Sequence, residues 1–156
     1  EERVLPLAGY LNNGPVRIGN QAYEQLQHDV YGQIILSILP LFTDKRLSDR
    51  HHSEADRQMI HFLVDKIITT MEVPDAGLWE YRNKKQYHTY TYLFHWAGAK
   101  GAIRIAKTLK DEGLLKKAQV ALKNAIDKLE QCYDPVQKAY TQAISSAHFD
   151  ASALKL

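Results

Sequence analysis

The sequence contains a single cysteine, Cys132, so several kinds of site are excluded from the outset. One thiol cannot form a disulfide within the chain, and it cannot build a cysteine-rich zinc site. A lone cysteine is compatible with a reducing compartment, which slightly favours a cytoplasmic location without establishing it. Export remains open for a longer protein that contains this chain.

Long apolar runs and a translation start are also missing. The longest apolar stretch, from Ile34 to Phe42, is interrupted by Ser37 and Pro40 and is far shorter than the roughly 20 residues that span a bilayer. The sequence begins at Glu1, without an initiator methionine or a signal pattern. We therefore expect no membrane segment, and we expect a chain that is truncated at both ends.

Charge of one sign does not dominate the chain. Its 20 basic and 18 acidic residues are interspersed and leave a net charge of +2, so no basic stripe is available for phosphates. We therefore expect no nucleic-acid partner. With 45% apolar residues, the 156 residues suit one folded domain with a core of ordinary size.

Several catalytic motifs are absent from the sequence. It has no glycine-rich phosphate loop, serine elbow or Cys-His arrangement. His51, His52 and His61 lack the adjacent-turn spacing of a helical zinc site, so we interpret them as surface residues. His95, between two aromatic residues of a predicted helix, is interpreted as a core histidine. No metal and no cofactor are expected.

Apolar residues recur at helical spacing through most of the chain and predict an all-α fold. Ser53 is expected to begin one helix and Pro74 to follow its end, while Gly113 is expected to cap another. No strand is needed anywhere. Antiparallel helical hairpins with functional residues at one rim are the expected architecture. The predicted helices cover residues 21–42, 53–73, 91–110 and 114–132, and a further helix is expected to open at Asp150-Ala151-Ser152.

The pair Trp79-Glu80 stands in a predicted loop between two helices. An acid beside a large aromatic side chain can be partly desolvated, and desolvation raises the pKa of a carboxyl group. A raised pKa suits a general acid. On this pair alone, however, the alternative is favoured, in which Trp79 anchors the loop to the core and Glu80 is solvated.

The first loop and helix combine hydrogen-bonding and aromatic side chains at high density. This mixture suits a sugar, whose hydroxyls bind amides and carboxylates and whose ring faces pack on aromatic planes. The alternative, favoured without further evidence, is a loop tied down by its own side chains, with Arg17 paired to an acid. The residues concerned are Tyr10, Arg17, Asn20, Gln25, Gln27, Asp29 and Tyr31.

Three blocks of sequence follow one another along the chain. The first block is Leu7-Ala8-Gly9-Tyr10, Gly14-Pro15-Val16-Arg17-Ile18-Gly19-Asn20, Gln25, Gln27 and Asp29-Val30-Tyr31-Gly32. The second is Pro74-Asp75-Ala76-Gly77-Leu78-Trp79-Glu80 with Arg82, His88-Thr89-Tyr90-Thr91 and Trp96, and the third is Phe149-Asp150-Ala151-Ser152. In this order, the three blocks resemble bacterial members of glycoside hydrolase family 15, the glucoamylase family.

The resemblance implies a fold and a set of site residues. Residues 1–156 would be a single segment of a glucoamylase-like catalytic domain and part of an (α/α)6 toroid, the six-hairpin glycosidase architecture. Glu80 would be the general acid. Tyr10, Arg17, Trp79 and Arg82 become candidates for sugar contact or for holding the acid loop. Directly after Glu80, Tyr81 stands where fungal relatives carry a second, substrate-binding acid.

The implied reaction is hydrolysis of α-glucosidic bonds from non-reducing ends with inversion, on an oligosaccharide or α-glucoside substrate. It needs a second carboxylate, roughly 6.5–9.5 Å from the first, which in the family lies after this segment, so the isolated chain is expected to be inactive. Glucoamylase-type activity is the leading interpretation. The alternatives are a trehalase, a non-catalytic carbohydrate-sensing domain and a helical scaffold. A chain that forms only part of the toroid would expose apolar helix faces, and these would favour self-association of the chain.

Overall fold

In a computed structural model, which describes residues 1–47, 52–81 and 84–155, the chain is mostly helical. Two short antiparallel hairpins accompany the helices within these residues, β1 with β2 and β3 with β4. The helices are α1 (Asp29–Thr43), α2 (Glu54–Thr70), α3 (Thr89–Leu109) and α4 (Glu112–Gln131). The strands are β1 (Arg3–Leu5), β2 (Val16–Ile18), β3 (Tyr133–Asp134) and β4 (Ala139–Tyr140).

The first layer of the fold consists of α1 and α3, which run parallel to each other. Gly32 lies against Phe94, and Gly101 lies further along against Ile35 and Leu39. Both helices therefore advance in the same direction, and they share one of the most extensive contacts in the structure. Their N-termini consequently lie at the same end of the molecule.

The second layer consists of α2 and α4, which are also parallel. Lys117 Nζ lies 2.8 Å from Asp65 Oδ2, and Lys128 Nζ, three turns further along α4, lies 2.6 Å from Glu72 Oε2, just beyond the C-terminal end of α2. Helices that follow each other along the chain are antiparallel. The expected antiparallel hairpins are confirmed, and the two layers match an arc of an (α/α)6 toroid.

Aliphatic side chains from both layers form the core. Burying one such side chain contributes roughly 1.5–3 kcal/mol relative to leaving it exposed, so the interface between the layers is the main source of stability. The fully buried members include Ile35, Ile60, Val64, Ile67, Ile105 and Leu114, and the small residues Ala118, Ala121 and Ala125 let α4 approach closely.

Helix α2 begins and ends where its sequence predicts. The Ser53 hydroxyl accepts a hydrogen bond from the Asp56 N–H, and the Asp56 carboxylate accepts one from the Ser53 N–H. This reciprocal capping satisfies two donors at the helix start. The helix ends at Thr70, before Pro74.

Two sequence expectations about the other helices are wrong in detail. Helix α1 begins at Asp29 and not at residue 21, because the residues before it form a 3-10 turn and an extended segment. The left-handed residue that ends α3 is Lys110, with φ 54°, and Gly113 lies inside α4. Only Lys110 and Asp111 connect α3 to α4, because Asp111 already caps α4. Its side chain accepts a hydrogen bond from the Leu114 N–H at 2.9 Å.

The expectation that no strand is needed is also wrong. The pairing of β1 with β2 folds the N-terminal loop back on itself, with Val4 opposite Arg17. At the other end, Asp150 accepts a hydrogen bond from the Ser152 N–H at 2.7 Å and begins a 3-10 turn, Ala151–Lys155, in place of the expected α-helix. None of the helices among the described residues is long and apolar enough to cross a membrane.

Candidate active site

Residues 75–81, which we name the acid loop, form a tight turn that carries Glu80 near its end. The Glu80 N–H donates to the Gly77 carbonyl, and the Tyr81 N–H donates to the Ala76 carbonyl, both at 3.1 Å. Glu80 itself has a left-handed backbone, with φ 50°. Gly77 has φ 67°, and a Cβ there would lie 2.6 Å from the His88 ring, so glycine is required at that point.

Asp75 fixes the acid loop to the ends of two helices. Its side chain is buried, and it accepts hydrogen bonds from the His28 N–H at 2.8 Å and the Thr91 hydroxyl at 2.9 Å. It also accepts from the Gly77 N–H at 3.2 Å. Because His28 precedes α1 and Thr91 lies in the first turn of α3, one carboxylate joins the start of both helices to the loop.

Two glutamine side chains hold the acid loop from the segment before α1. Gln25 Nε2 donates to the Glu80 carbonyl at 3.0 Å, and Gln27 Nε2 donates to the Gly77 carbonyl at 2.8 Å. The Ala76 N–H donates to the Leu26 carbonyl at 2.9 Å. The polar side chains of this segment therefore hold a loop in place, as the alternative to sugar binding predicts. The loop that they hold is not their own but the acid loop, 50 to 55 residues further along the chain.

Asp150 brings the third block of sequence to the same place. Its carboxylate accepts a hydrogen bond from the Trp79 indole N–H. Burial opposes ionisation, but hydrogen bonds from Ser152 and Trp79 outweigh it and lower the pKa of Asp150. Three segments that are far apart in sequence thus meet at the Trp79-Glu80 pair.

Three histidines are buried beneath the acid loop. The ring of His88 stacks on Tyr81 at 5.9 Å between centroids, and His95 Nε2 donates to the His28 carbonyl at 3.1 Å. Burial lowers the pKa of all three histidines, for His95 to about 4. They are therefore neutral around pH 7, and the core interpretation of His95 is confirmed.

A second acid, Asp29, lies in the same buried layer as the first residue of α1. Burial raises its pKa, and the nearby charge of Asp75 raises it further. One of its oxygens accepts a hydrogen bond from Gln33. The start of α1 therefore carries a carboxyl group that is less readily ionised than an exposed one.

A cleft of about 860 Å³ lies beside the acid loop. Tyr81 lines it together with Arg17 and two lysines, Lys84 and Lys85. Arg17 Nε forms an ion pair with Glu2 Oε1 at 2.8 Å, so the alternative in which Arg17 pairs with an acid is what the structure contains. The guanidinium is still one-third exposed toward the cleft.

The predicted site residues are not all brought together. Glu80 and Trp79 lie in the acid loop, and Arg17 lines the cleft beside it. The side chain of Glu80 is exposed and Trp79 is 58% exposed, so the described residues do not provide the expected desolvation. Tyr10 is 85% exposed, and neither Tyr10 nor Trp79 nor Glu80 lines the cleft. Arg82 lies outside the described residues.

Sequence reasoning missed the supporting residues Asp75 and His88 as members of the site. The contact of Asp75 with His28 spans 47 residues of sequence and no local pattern reveals it, whereas His88 stacks on the nearby Tyr81. The signal that was available is the placement of both residues next to the Trp79-Glu80 loop. The described residues contain no group of three or more histidine, cysteine or acidic side chains that could hold a metal ion.

Comparison with known proteins gives one family match and several relatives. The family model "Glycosyl hydrolases family 15" matches residues 1–156. Proteins named trehalase from Thermoplasma volcanium and Thermoplasma acidophilum are 30% and 31% identical, over 100% and 99% of this chain, and over 25% and 26% of their own lengths.

A trehalase from Mycobacterium tuberculosis is 30% identical over 99% of this chain and 22% of its own length. The chain thus spans about a quarter of the length of the curated relatives it matches. No solved structure matches the chain significantly.

Proposed function

This chain belongs to glycosyl hydrolases family 15, and from that premise we propose that the protein containing it hydrolyses α,α-trehalose with Glu80 as the general acid. The observation that carries the proposal is the convergence of three segments on one exposed acid. Gln25 holds the carbonyl of Glu80, and Asp150 holds the neighbouring Trp79. Such preorganisation is what a proton donor of fixed position requires.

The substrate is proposed from the relatives. Those named above are trehalases and match nearly the whole chain, which supports trehalose in preference to an α-glucan. The glucoamylase-type specificity that the sequence blocks suggest has no such support among them.

In the proposed reaction, the protonated carboxyl of Glu80 donates its proton to the glycosidic oxygen as the bond from that oxygen to C1 breaks. A water molecule attacks C1 from the opposite face of the ring, and a second carboxylate accepts its proton. Inversion at one carbon of α,α-trehalose yields one β-glucose from the attacked unit and one α-glucose from the leaving unit.

We propose sugar contacts for the side chains around Glu80. Trp79 offers an exposed aromatic face beside the acid, suited to the apolar face of a pyranose ring. Arg17 offers guanidinium N–H donors to sugar hydroxyls from the cleft. Tyr10 and Arg82 remain sequence-based proposals for the same role. We also keep residues 1–156 as one segment of the catalytic domain.

The proposal predicts a substrate preference in the full-length protein. Glucose release from trehalose, maltose and maltotriose is measured at equal concentrations, and we expect kcat/KM for trehalose to exceed that for maltose by at least about 10-fold, the discrimination that a few specific polar contacts supply. Equal or faster release from maltotriose would instead indicate a glucoamylase-type enzyme. Release from none of them would favour the sensing or scaffold interpretation.

The stereochemical course is measured in the same reaction by proton NMR. Inversion predicts equal amounts of α- and β-glucose in the first minutes, before mutarotation. Two α-glucose molecules per trehalose would show retention and would contradict the proposed mechanism.

A further inference from the structure

The backbone of Glu80 is held in a conformation that its side chain does not favour. Left-handed φ values are disfavoured for residues other than glycine, and Glu80 has φ 50°. Such a conformation persists only where surrounding contacts determine it. The contacts at this residue therefore decide where its carboxyl group lies.

Three hydrogen bonds act directly on the peptide groups that flank Glu80, and one of them, from the Tyr81 N–H to the Ala76 carbonyl, lies within the acid loop. The Glu80 N–H donates to the Gly77 carbonyl within the acid loop. The Glu80 carbonyl accepts from Gln25 Nε2 at 3.0 Å, across 55 residues of sequence. The two bonds within the loop close the turn, whereas the Gln25 bond ties the peptide group that follows Glu80 to the segment before α1.

The other bonds between this segment and the acid loop end before Glu80. Gln27 binds the Gly77 carbonyl, Leu26 accepts from Ala76, and His28 donates to Asp75. These bonds hold the loop as a whole. Among the bonds from this segment, the Gln25 bond is the one that reaches the acid residue.

The amide of Gln25 has little else to bind. Its Oε1 atom is buried without a hydrogen-bond partner within the described part of the chain. Among the described residues, the hydrogen bond of the side-chain amide is therefore the one from its nitrogen to the Glu80 carbonyl.

We propose that Gln25 is a positioning residue for the general acid, which holds the Glu80 backbone so that the carboxyl group reaches the departing oxygen. This inference rests on the proposed function of Glu80. A misplacement of about 1 Å can lower a rate about 100-fold. Gln25 also lines the cleft beside the acid loop, but the proposed role acts through the backbone of Glu80 and requires no contact with the substrate.

The test uses Gln25→Met in the full-length protein, which removes the donor and keeps a side chain of similar length. On trehalose we expect kcat to fall about 10- to 100-fold, with KM within about 2-fold of wild type. On an aryl α-glucoside with a weakly basic leaving group, kcat should fall less than about 3-fold, since that leaving group needs little protonation.

The matched control is Gln131→Met. The Gln131 amide also donates to a backbone carbonyl at 3.0 Å, that of Asp127, but on the exposed surface of α4. It should change neither substrate's kinetics. If Gln25→Met does not fold, Gln25→Asn supplies the same readout, because the shorter amide cannot reach the Glu80 carbonyl.

The outcomes separate this inference from the function it rests on. Equal losses on both substrates, or no loss on trehalose, would overturn the positioning role of Gln25. Glu80→Gln is assayed alongside. If Glu80→Gln loses trehalose activity and Gln25→Met retains it, the positioning inference alone is wrong. If Glu80→Gln retains trehalose activity, the proposed function of Glu80 is wrong.

Discussion

Asp75 is the residue on which most of the candidate site depends. It accepts three hydrogen bonds in a buried position, and these engage both of its oxygens with backbone and hydroxyl donors. A carboxylate engaged in this way stabilises its surroundings and is poorly suited to activating a water molecule. We therefore assign Asp75 to the support of the acid loop.

Replacing Asp75 with alanine should destabilise the protein strongly. Three buried donors lose their acceptor, and hydrogen bonds to a charged group contribute roughly 1.5–3 kcal/mol each. We expect the free energy of unfolding to fall by about 3 kcal/mol or more in urea titrations. Asp127→Ala, at an exposed position of α4, should stay within about 0.5 kcal/mol of wild type. Similar small effects in both variants would contradict the role of Asp75.

The buried histidines predict a loss of stability on acidification. Burial lowers the pKa of His95 from 6.5 to about 4, so the unfolded chain binds a proton in this pH range and the folded chain does not. The stabilisation is complete above the unfolded pKa and is lost as the pH falls from 6.5 towards 4. Between pH 7 and pH 5 this one group should remove about 2 kcal/mol.

His95→Gln tests that contribution because a glutamine amide can still donate to the His28 carbonyl but does not titrate. The decrease in stability between pH 7 and pH 5 should be smaller in this variant, although His28 and His88 act in the same direction. His148→Gln, at an exposed position, should keep the wild-type pH dependence. An unchanged pH dependence in His95→Gln would exclude the proposed cause.

At the scale of elements, the contact between α1 and α3 sets the separation of the two helices. A Cβ on Gly32 would lie 1.9 Å from the Phe94 carbonyl oxygen, and one on Gly98 would lie 2.5 Å from Gly32 Cα. The backbones therefore touch at this crossing. The close approach brings both helix starts within reach of Asp75.

Gly32→Ala should separate the two helices. The clash is with backbone, which cannot rotate away, so we expect about 3 kcal/mol of destabilisation and a loss of activity. Gly113→Ala is the matched control in α4, where the nearest atom to an added Cβ is 3.5 Å away. It should be neutral or slightly stabilising, because alanine favours helix. A well-tolerated Gly32→Ala, measured by thermal unfolding, would contradict the close contact.

The sequence predicts the elements unequally well, for a physical reason. Helices α2, α3 and α4 lie within a few residues of their predicted bounds, since their apolar spacing and caps are local features. The start of α1 is wrong because Gln25 and Gln27 bind the acid loop in place of continuing a helix. Likewise, the Arg17 ion pair depends on Glu2, which only the β1–β2 pairing brings near.

At the scale of the whole molecule, the described residues form two helical layers, and the candidate site lies at one rim of these layers. The acid loop, the segment before α1 and Asp150 all meet where α1 and α3 begin. Apolar side chains are exposed on the outer faces, among them Ile34, Phe62 and Val120. Self-association of the isolated chain through such faces stays a prediction, testable by sedimentation of residues 1–156.

The central claim is that Glu80 donates the proton, and trehalose turnover by Glu80→Gln in the full-length protein tests it most directly. Glutamine keeps the size of the side chain and removes its acidic proton. We predict that kcat falls about 100- to 10,000-fold, the usual contribution of a general acid, while Glu130→Gln on the exposed surface of α4 retains full activity. A Glu80→Gln enzyme whose kcat lies within a few-fold of wild type would contradict the account.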